Sequence, residues 1–210
     1  MALPIKTPPV VFVVDDDSRV LQSLSRLLRS AGHEVRTFAS PVDFLADAPR
    51  DRHGCVILDL RMPGMTGLEL QDALRRRGDP LPIVFITGHG DVPASVQAMK
   101  AGAVDFLQKP FSADDLFAAI ARALEKDAAA RAARAEVTEV REAVATLSPR
   151  EQEVARRVAA GMLSKQIAAE LGLSEKTVAV HRSRVMEKLN VDSVAELVRL
   201  FARLEESPPR

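Results

Sequence analysis

A chain of 210 residues that is 47% apolar can bury one large core or two smaller ones, which sets aside an intrinsically disordered protein. Its 29 basic and 29 acidic residues cancel, so no strongly charged overall balance marks a nucleic acid or membrane surface as partner. The single cysteine, Cys55, excludes an intrachain disulfide and fits a reducing cytoplasm; MALPIKTPPV lacks an apolar signal core, and no apolar run approaches the ~18 residues that span a bilayer. The expectation is a soluble, cytoplasmic protein without a membrane partner.

From Val10 to Leu124, short apolar strands alternate with stretches of helical period, the pattern of βαβ units around a parallel sheet. VVFVV runs into Asp15, Asp16 and Asp17. Val20, Leu24, Leu27 and Leu28 then follow amphipathic helical spacing. Ser40 to Asp43, Thr66 to Glu69 and Ser112 to Asp115 each set a hydroxyl three residues before a carboxylate, a helix-start signal. Between them CVIL delivers Asp59, IVFI delivers Thr87 ahead of a helix starting near Pro93, and AVDFLQ delivers Lys109. Leu116, Ile120 and Leu124 mark the fifth helix. Five strands and five helices make a doubly wound α/β domain over residues 1–124.

Residues 125–146 shift to Ala, Arg and Glu without Gly or Pro, which predicts a helical linker. Ala130, Ala133, Val137, Val140, Val144 and Leu147 form a heptad seam, open to two readings: a stripe resting on its neighbours, or a dimeric coiled coil. Residues 147–210 hold four short helices and no strand, a small all-α domain. Ser148-Pro149-Arg150-Glu151 starts the first, Gly161 ends it, and a second runs from about Ser164 to Leu171. The turn Gly172-Leu173-Ser174 then leads into a longer helix, a helix-turn-helix pattern, and Ser193 opens the last. This part carries 11 basic against 9 acidic residues, a slight surplus.

In an open parallel sheet the carboxyl ends of the strands share one edge, where ligands bind. Three acids, a hydroxyl and an ammonium therefore converge on Asp59. Asp15, Asp16 and Asp59 offer the hard oxygens that Mg²⁺ prefers, too few for an all-protein cage. With charge neutralised, Asp59 becomes a nucleophile toward a phosphoryl donor, and Lys109 and Thr87 hold the phosphoryl oxygens. In the second domain, Val178, His181, Val185 and Leu189 form the buried stripe of the longer helix, with His181 expected as a satisfied core histidine. Lys176, Val180, Ser183 and Glu187 point away, flanked by Thr177, Ala179 and Arg184. Val180 suits a thymine methyl, and Lys165, Lys176, Arg182, Arg184 and Lys188 suit phosphates.

VVDDD, DLRMPGMTG, ITGHG and AVDFLQKPF resemble, in order and spacing, the signature segments of receiver domains of two-component response regulators. That resemblance implies a flavodoxin-like five-stranded sheet with Asp59 as phospho-acceptor. It assigns Mg²⁺ (or Mn²⁺) to Asp15, Asp16, Asp59 and the backbone carbonyl of Arg61. It also implies Thr87 as switch hydroxyl, Lys109 on the phosphate, a cis Lys109-Pro110 bond and Phe106 at the aromatic switch position, without the hydroxyl of the Tyr often found there. The stretch LSPREQEVARRVAAGMLSKQIAAELGLSEKTVAVHRSRVMEKLNVDSVAELV is similar to LuxR-type DNA-binding modules, and the combination resembles the NarL/FixJ class. The implied protein is a transcription regulator rather than an enzyme. Its partners would be a sensor histidine kinase, double-stranded DNA, a second copy after phosphorylation, and RNA polymerase. Ala179 stands where the family often has a basic residue, which removes one contact. A phosphohydrolase of the haloacid dehalogenase type would need a second Asp where Arg61 stands, and a receiver that only binds proteins would leave the helix-turn-helix without a role.

Overall fold

The computed structural model describes residues 8–47, 52–79, 81–88 and 92–206; His89, Gly90 and Asp91, which follow the fourth strand, and the first seven residues lie outside it. The chain forms two compact units, Met1–Ala130 and Arg131–Arg210. In the first, β1 (Val10–Val14), β2 (Glu34–Phe38), β3 (Gly54–Asp59), β4 (Ile83–Thr87) and β5 (Asp105–Gln108) form one parallel sheet in the order β2-β1-β3-β4-β5. That is the flavodoxin-like order, and its reversal falls between β1 and β3. The central strands are Val- and Ile-rich because both faces are covered. Phe12, Val14, Val56, Leu58 and Phe85 pack on one face, and Val11, Val13, Ile57, Val84 and Ile86 on the other.

Helices α1 (Ser18–Ser30), α2 (Pro41–Ala46), α3 (Gly67–Arg77) and α4 (Val92–Lys100) fill the connections. Local chemistry fixes their starts. Ser40 caps α2 with Pro41 at its first position, and Thr66 and Glu69 cap α3 reciprocally. Gly67 is required for packing: a Cβ there would lie 2.4 Å from the Asp59 carbonyl oxygen and 2.9 Å from the Phe85 ring.

The expected linker is not a separate element. Helix α5 runs unbroken from Ala113 to Ala145, since no Gly or Pro interrupts an Ala-rich run. Of the heptad seam, Ala133 is exposed and Val137 and Val140 are half-buried, whereas Val144 and Leu147 pack into the core of the second unit. The end of the seam is thus used inside the chain. That second unit is helical: α6 (Pro149–Ala159), α7 (Ser164–Leu171), α8 (Glu175–Lys188) and α9 (Val194–Glu206) surround Val154, Val158, Ile167, Val178, Val185 and Leu197. Gly172 turns α7 into α8 with φ near +64°, where a side chain would be strained. Among the described residues no helix is long and apolar enough to cross a membrane.

Candidate functional site

At the carboxyl edge of the sheet, β1 ends one residue before Asp15 and β3 ends on Asp59, and both carboxylates are buried, 2% and 7% exposed. Lys109, just beyond β5, joins them: its Nζ donates to Asp15 Oδ2 at 2.8 Å and to Asp59 Oδ1 at 2.9 Å. The loop after β5 is tied by the Lys109 N–H to the Thr87 carbonyl at 2.7 Å, and the Lys109-Pro110 peptide is cis. The Arg61 N–H donates to Asp59 Oδ2 at 2.8 Å. Thr87 is buried at the end of β4. Phe106 is half-buried on β5 and packs with Phe85, ring centroids 6.3 Å apart.

Burial pushes the Asp59 carboxyl above the ordinary aspartate range, against the hydrogen bonds from Lys109 and the Arg61 N–H, which pull it down. Burial alone would lower the Lys109 ammonium, but Asp15 and Asp59 outweigh that and raise it. The pocket therefore holds a firmly protonated lysine beside a carboxylate poor in compensating charge.

The convergence of three further acids on Asp59 needs correction. Asp17 caps α1, accepting from the Arg19 N–H at 2.8 Å, so the helix start claims it. Asp16 is exposed, and Asp15 is the buried partner. No group of three or more His, Cys, Asp or Glu side chains able to hold a metal forms among the described residues. The donor set still fits Mg²⁺, which takes one or two carboxylates and keeps waters for its other positions. Asp15, Asp59, the exposed Asp16 and the Arg61 carbonyl are the groups that would hold it.

In the helical unit, α8 buries Val178, Val185 and Leu189 and exposes Lys176, Ala179, Val180, Ser183, Arg184 and Glu187, with Val180 46% exposed. Lys165 is exposed on the first turn of α7. Three expected contacts are engaged within the fold. Arg182 Nη1 donates to Ser164 Oγ at 2.8 Å, joining α8 to the start of α7. Lys188 Nζ donates to the buried Glu151 at 2.7 Å, and Thr177 Oγ1 shares a 2.8 Å hydrogen bond with Ser174 Oγ. These groups position α8 before they can offer anything to a ligand. His181 is not the satisfied core histidine expected: it is half-buried, and its Nδ1 is buried without a hydrogen-bond partner.

Two pairings escaped the sequence reading. Lys188 and the Ser148 N–H hold the Glu151 carboxyl down at about 2, a pairing between residues 37 apart that helical periodicity cannot reveal. Asp127 is 1% exposed on α5. Its signal was present: Leu116, Ile120 and Ala123 form the buried stripe of α5, and Asp127 falls four residues further along it.

A sheet of this order with acids and lysine at its carboxyl edge, joined to a helix-turn-helix, defines a class of protein, and sequence comparison agrees. Residues 11–121 match the response regulator receiver domain, and residues 145–201 match the bacterial regulatory proteins of the luxR family. The response regulator protein TodT of Pseudomonas putida is 48% identical over 198 residues, covering 94% of this chain and 87% of TodT. The transcriptional regulatory protein FixJ of Bradyrhizobium diazoefficiens is 44% identical, covering 92% of this chain and 94% of FixJ. Among solved structures, the response regulator StyR superposes with a TM-score of 0.80 at 49% identity, covering 94% of this chain and 100% of StyR. Full-length FixJ from B. japonicum superposes at 0.59 and 42%, covering 97% and 100%. The chain belongs to the response regulators that join a receiver to a LuxR-type DNA-binding domain, as FixJ does. It is a transcriptional regulator, not an enzyme.

Proposed function

We propose that Asp59 is the phospho-acceptor of this regulator and that a sensor histidine kinase is its donor. The observation that carries the reading is the Lys109 ammonium bridging Asp15 and Asp59 at the carboxyl edge. One Asp59 oxygen attacks the phosphorus of the donor, the bond from phosphorus to the donor imidazole nitrogen breaks, and that nitrogen keeps the electron pair. Lys109 and Thr87 then face the new phosphoryl oxygens, and Asp15 and Asp16 have no phosphorylation role beyond supplying oxygen ligands. A bound Mg²⁺ (or Mn²⁺) supplies charge neutralisation between the carboxylates and the incoming phosphoryl group. Lys109 cannot replace that charge fully, because it already serves two carboxylates.

The added phosphoryl group carries about two negative charges and reorganises Thr87, with Phe106 following. The modified receiver pairs with a second copy through α4 and β5, where Val92, Val96 and Met99 leave an apolar stripe exposed. Pairing sets two α8 helices on half-sites about one helical turn apart, each entering the major groove with Lys176, Val180, Ser183 and Arg184, while Lys165 grips phosphate. Work in the cytoplasm and contact with RNA polymerase belong to the same reading. Acetyl phosphate with Mg²⁺ should label the wild type and leave Asp59→Asn unlabelled. Label persisting in the variant would move the site to another carboxylate.

A further inference from the structure

At the opposite edge of the sheet from Asp59, a buried carboxylate ties α5 to the start of the same strand. Asp127 Oδ2 accepts from the Gly54 N–H at 3.0 Å and lies 3.3 Å from His53 Nε2. One residue earlier, Lys126 Nζ donates to the Gly102 carbonyl at 3.2 Å. Gly54 is itself forced into place: its φ is +140°, and a Cβ there would sit 1.8 Å from the Val10 carbonyl oxygen. Asp is a poor choice for a helix interior, and an Ala-rich run offers cheaper residues at every neighbouring position. At 1% exposure the carboxylate is costly to bury, and the Gly54 N–H offsets part of that cost.

Its place on α5 suggests a role. Asp127 lies one turn before Ala130, where the first compact unit ends, and α5 continues without a break to Ala145. We propose that Asp127 is the pin that anchors the end of α5 belonging to the receiver, and that phosphorylation-dependent control of DNA binding requires that anchor. The pin includes the Gly54 hydrogen bond and the His53 contact, and its loss would let the end of α5 fray. Gly54 and Asp59 are the two ends of β3, so the pin and the acceptor share one rigid strand. The proposal rests on the reading of Asp59 as the phospho-acceptor.

The test uses the full chain and a duplex selected from random sequence by the phosphorylated wild type. Asp127→Ala removes the acceptor, Asp127→Asn keeps an oxygen for the Gly54 N–H, and His53→Ala removes the second partner while leaving the helix intact. Each is read three ways: labelling by acetyl phosphate, the ratio of DNA affinities with and without phosphorylation, and amide exchange over residues 124–132. Asp127→Ala should label like the wild type, exchange faster in that stretch, and lose about fivefold or more of the affinity ratio; Asp127→Asn should recover most of both. His53→Ala should fall between them, and it decides the matter if Asp127→Ala does not fold. An undiminished ratio overturns the requirement for the pin, whatever the exchange shows. A wild type that takes no label or shows no affinity ratio overturns the reading of Asp59, and the requirement built on it falls as well.

Discussion

On the proposed reading Asp59 and Lys109 carry the chemistry of the pocket, and their charges predict how it responds to pH. Asp59 would have to be ionised to attack phosphorus, and burial raises its carboxyl while Lys109 opposes that rise. In the chain kept free of divalent metal, the Asp59 carboxyl, followed by carbon-13 NMR of labelled aspartate, should therefore titrate above an ordinary aspartate. Lys109→Ala removes an opposing hydrogen bond, so that titration should move to still higher pH. A titration that stays in place would mean that Lys109 does not govern Asp59. Cys55 takes no part: burial, with help from Asp127, pushes its thiol up to about 12, so alkylating reagents should leave the folded chain unlabelled.

Helices and strands were legible to different depths. In the receiver β1, β3 and β4 could be read because each is a short β-branched run that leads to a polar group, and hydroxyl caps, Thr66 here and Ser148 in the helical unit, mark helix starts chemically; β2, EVRTF, carries no such run. The faces of α8 could be read from angular spacing, which tells inside from outside but not which neighbour waits there. Arg182 and Lys188 show the difference, since their partners Ser164 and Glu151 belong to other helices. Glu151 makes this testable. Its carboxyl is depressed from the ordinary glutamate value of 4.5 to about 2, so its contribution is present above the unfolded value and is lost as pH falls from 4.5 toward 2. Thermal unfolding of the helical unit should steepen with acid over that window, and Glu151→Gln should flatten it; an unchanged profile would deny the pairing. Packing separates the faces equally well. Ile167→Ala, fully buried, should cost about 2–5 kcal/mol in urea unfolding. Val180→Ala should stay within about 0.5 kcal/mol yet change preference among DNA sites.

For the whole molecule, the slight positive balance of residues 147–210, 11 basic against 9 acidic, predicts that one copy binds DNA poorly, and the proposed pairing would supply the affinity. Lys165→Ala should weaken binding to all sites alike and reduce the slope of log affinity against log salt by about 0.9. The burial of Asp127 could have been read from its place on the apolar stripe of α5, but its ties to β3 could not, because helical spacing does not name the strand beneath it.

The account's central claim is that phosphorylation of Asp59 drives pairing and thereby DNA binding. Sedimentation of the full chain with its selected duplex, before and after acetyl phosphate and Mg²⁺, tests this most directly. Wild type should pass from a monomer that binds weakly to a dimer that occupies both half-sites, and Asp59→Asn should remain a weakly binding monomer. A fully phosphorylated wild type that stays monomeric and binds DNA no better than the variant would contradict it.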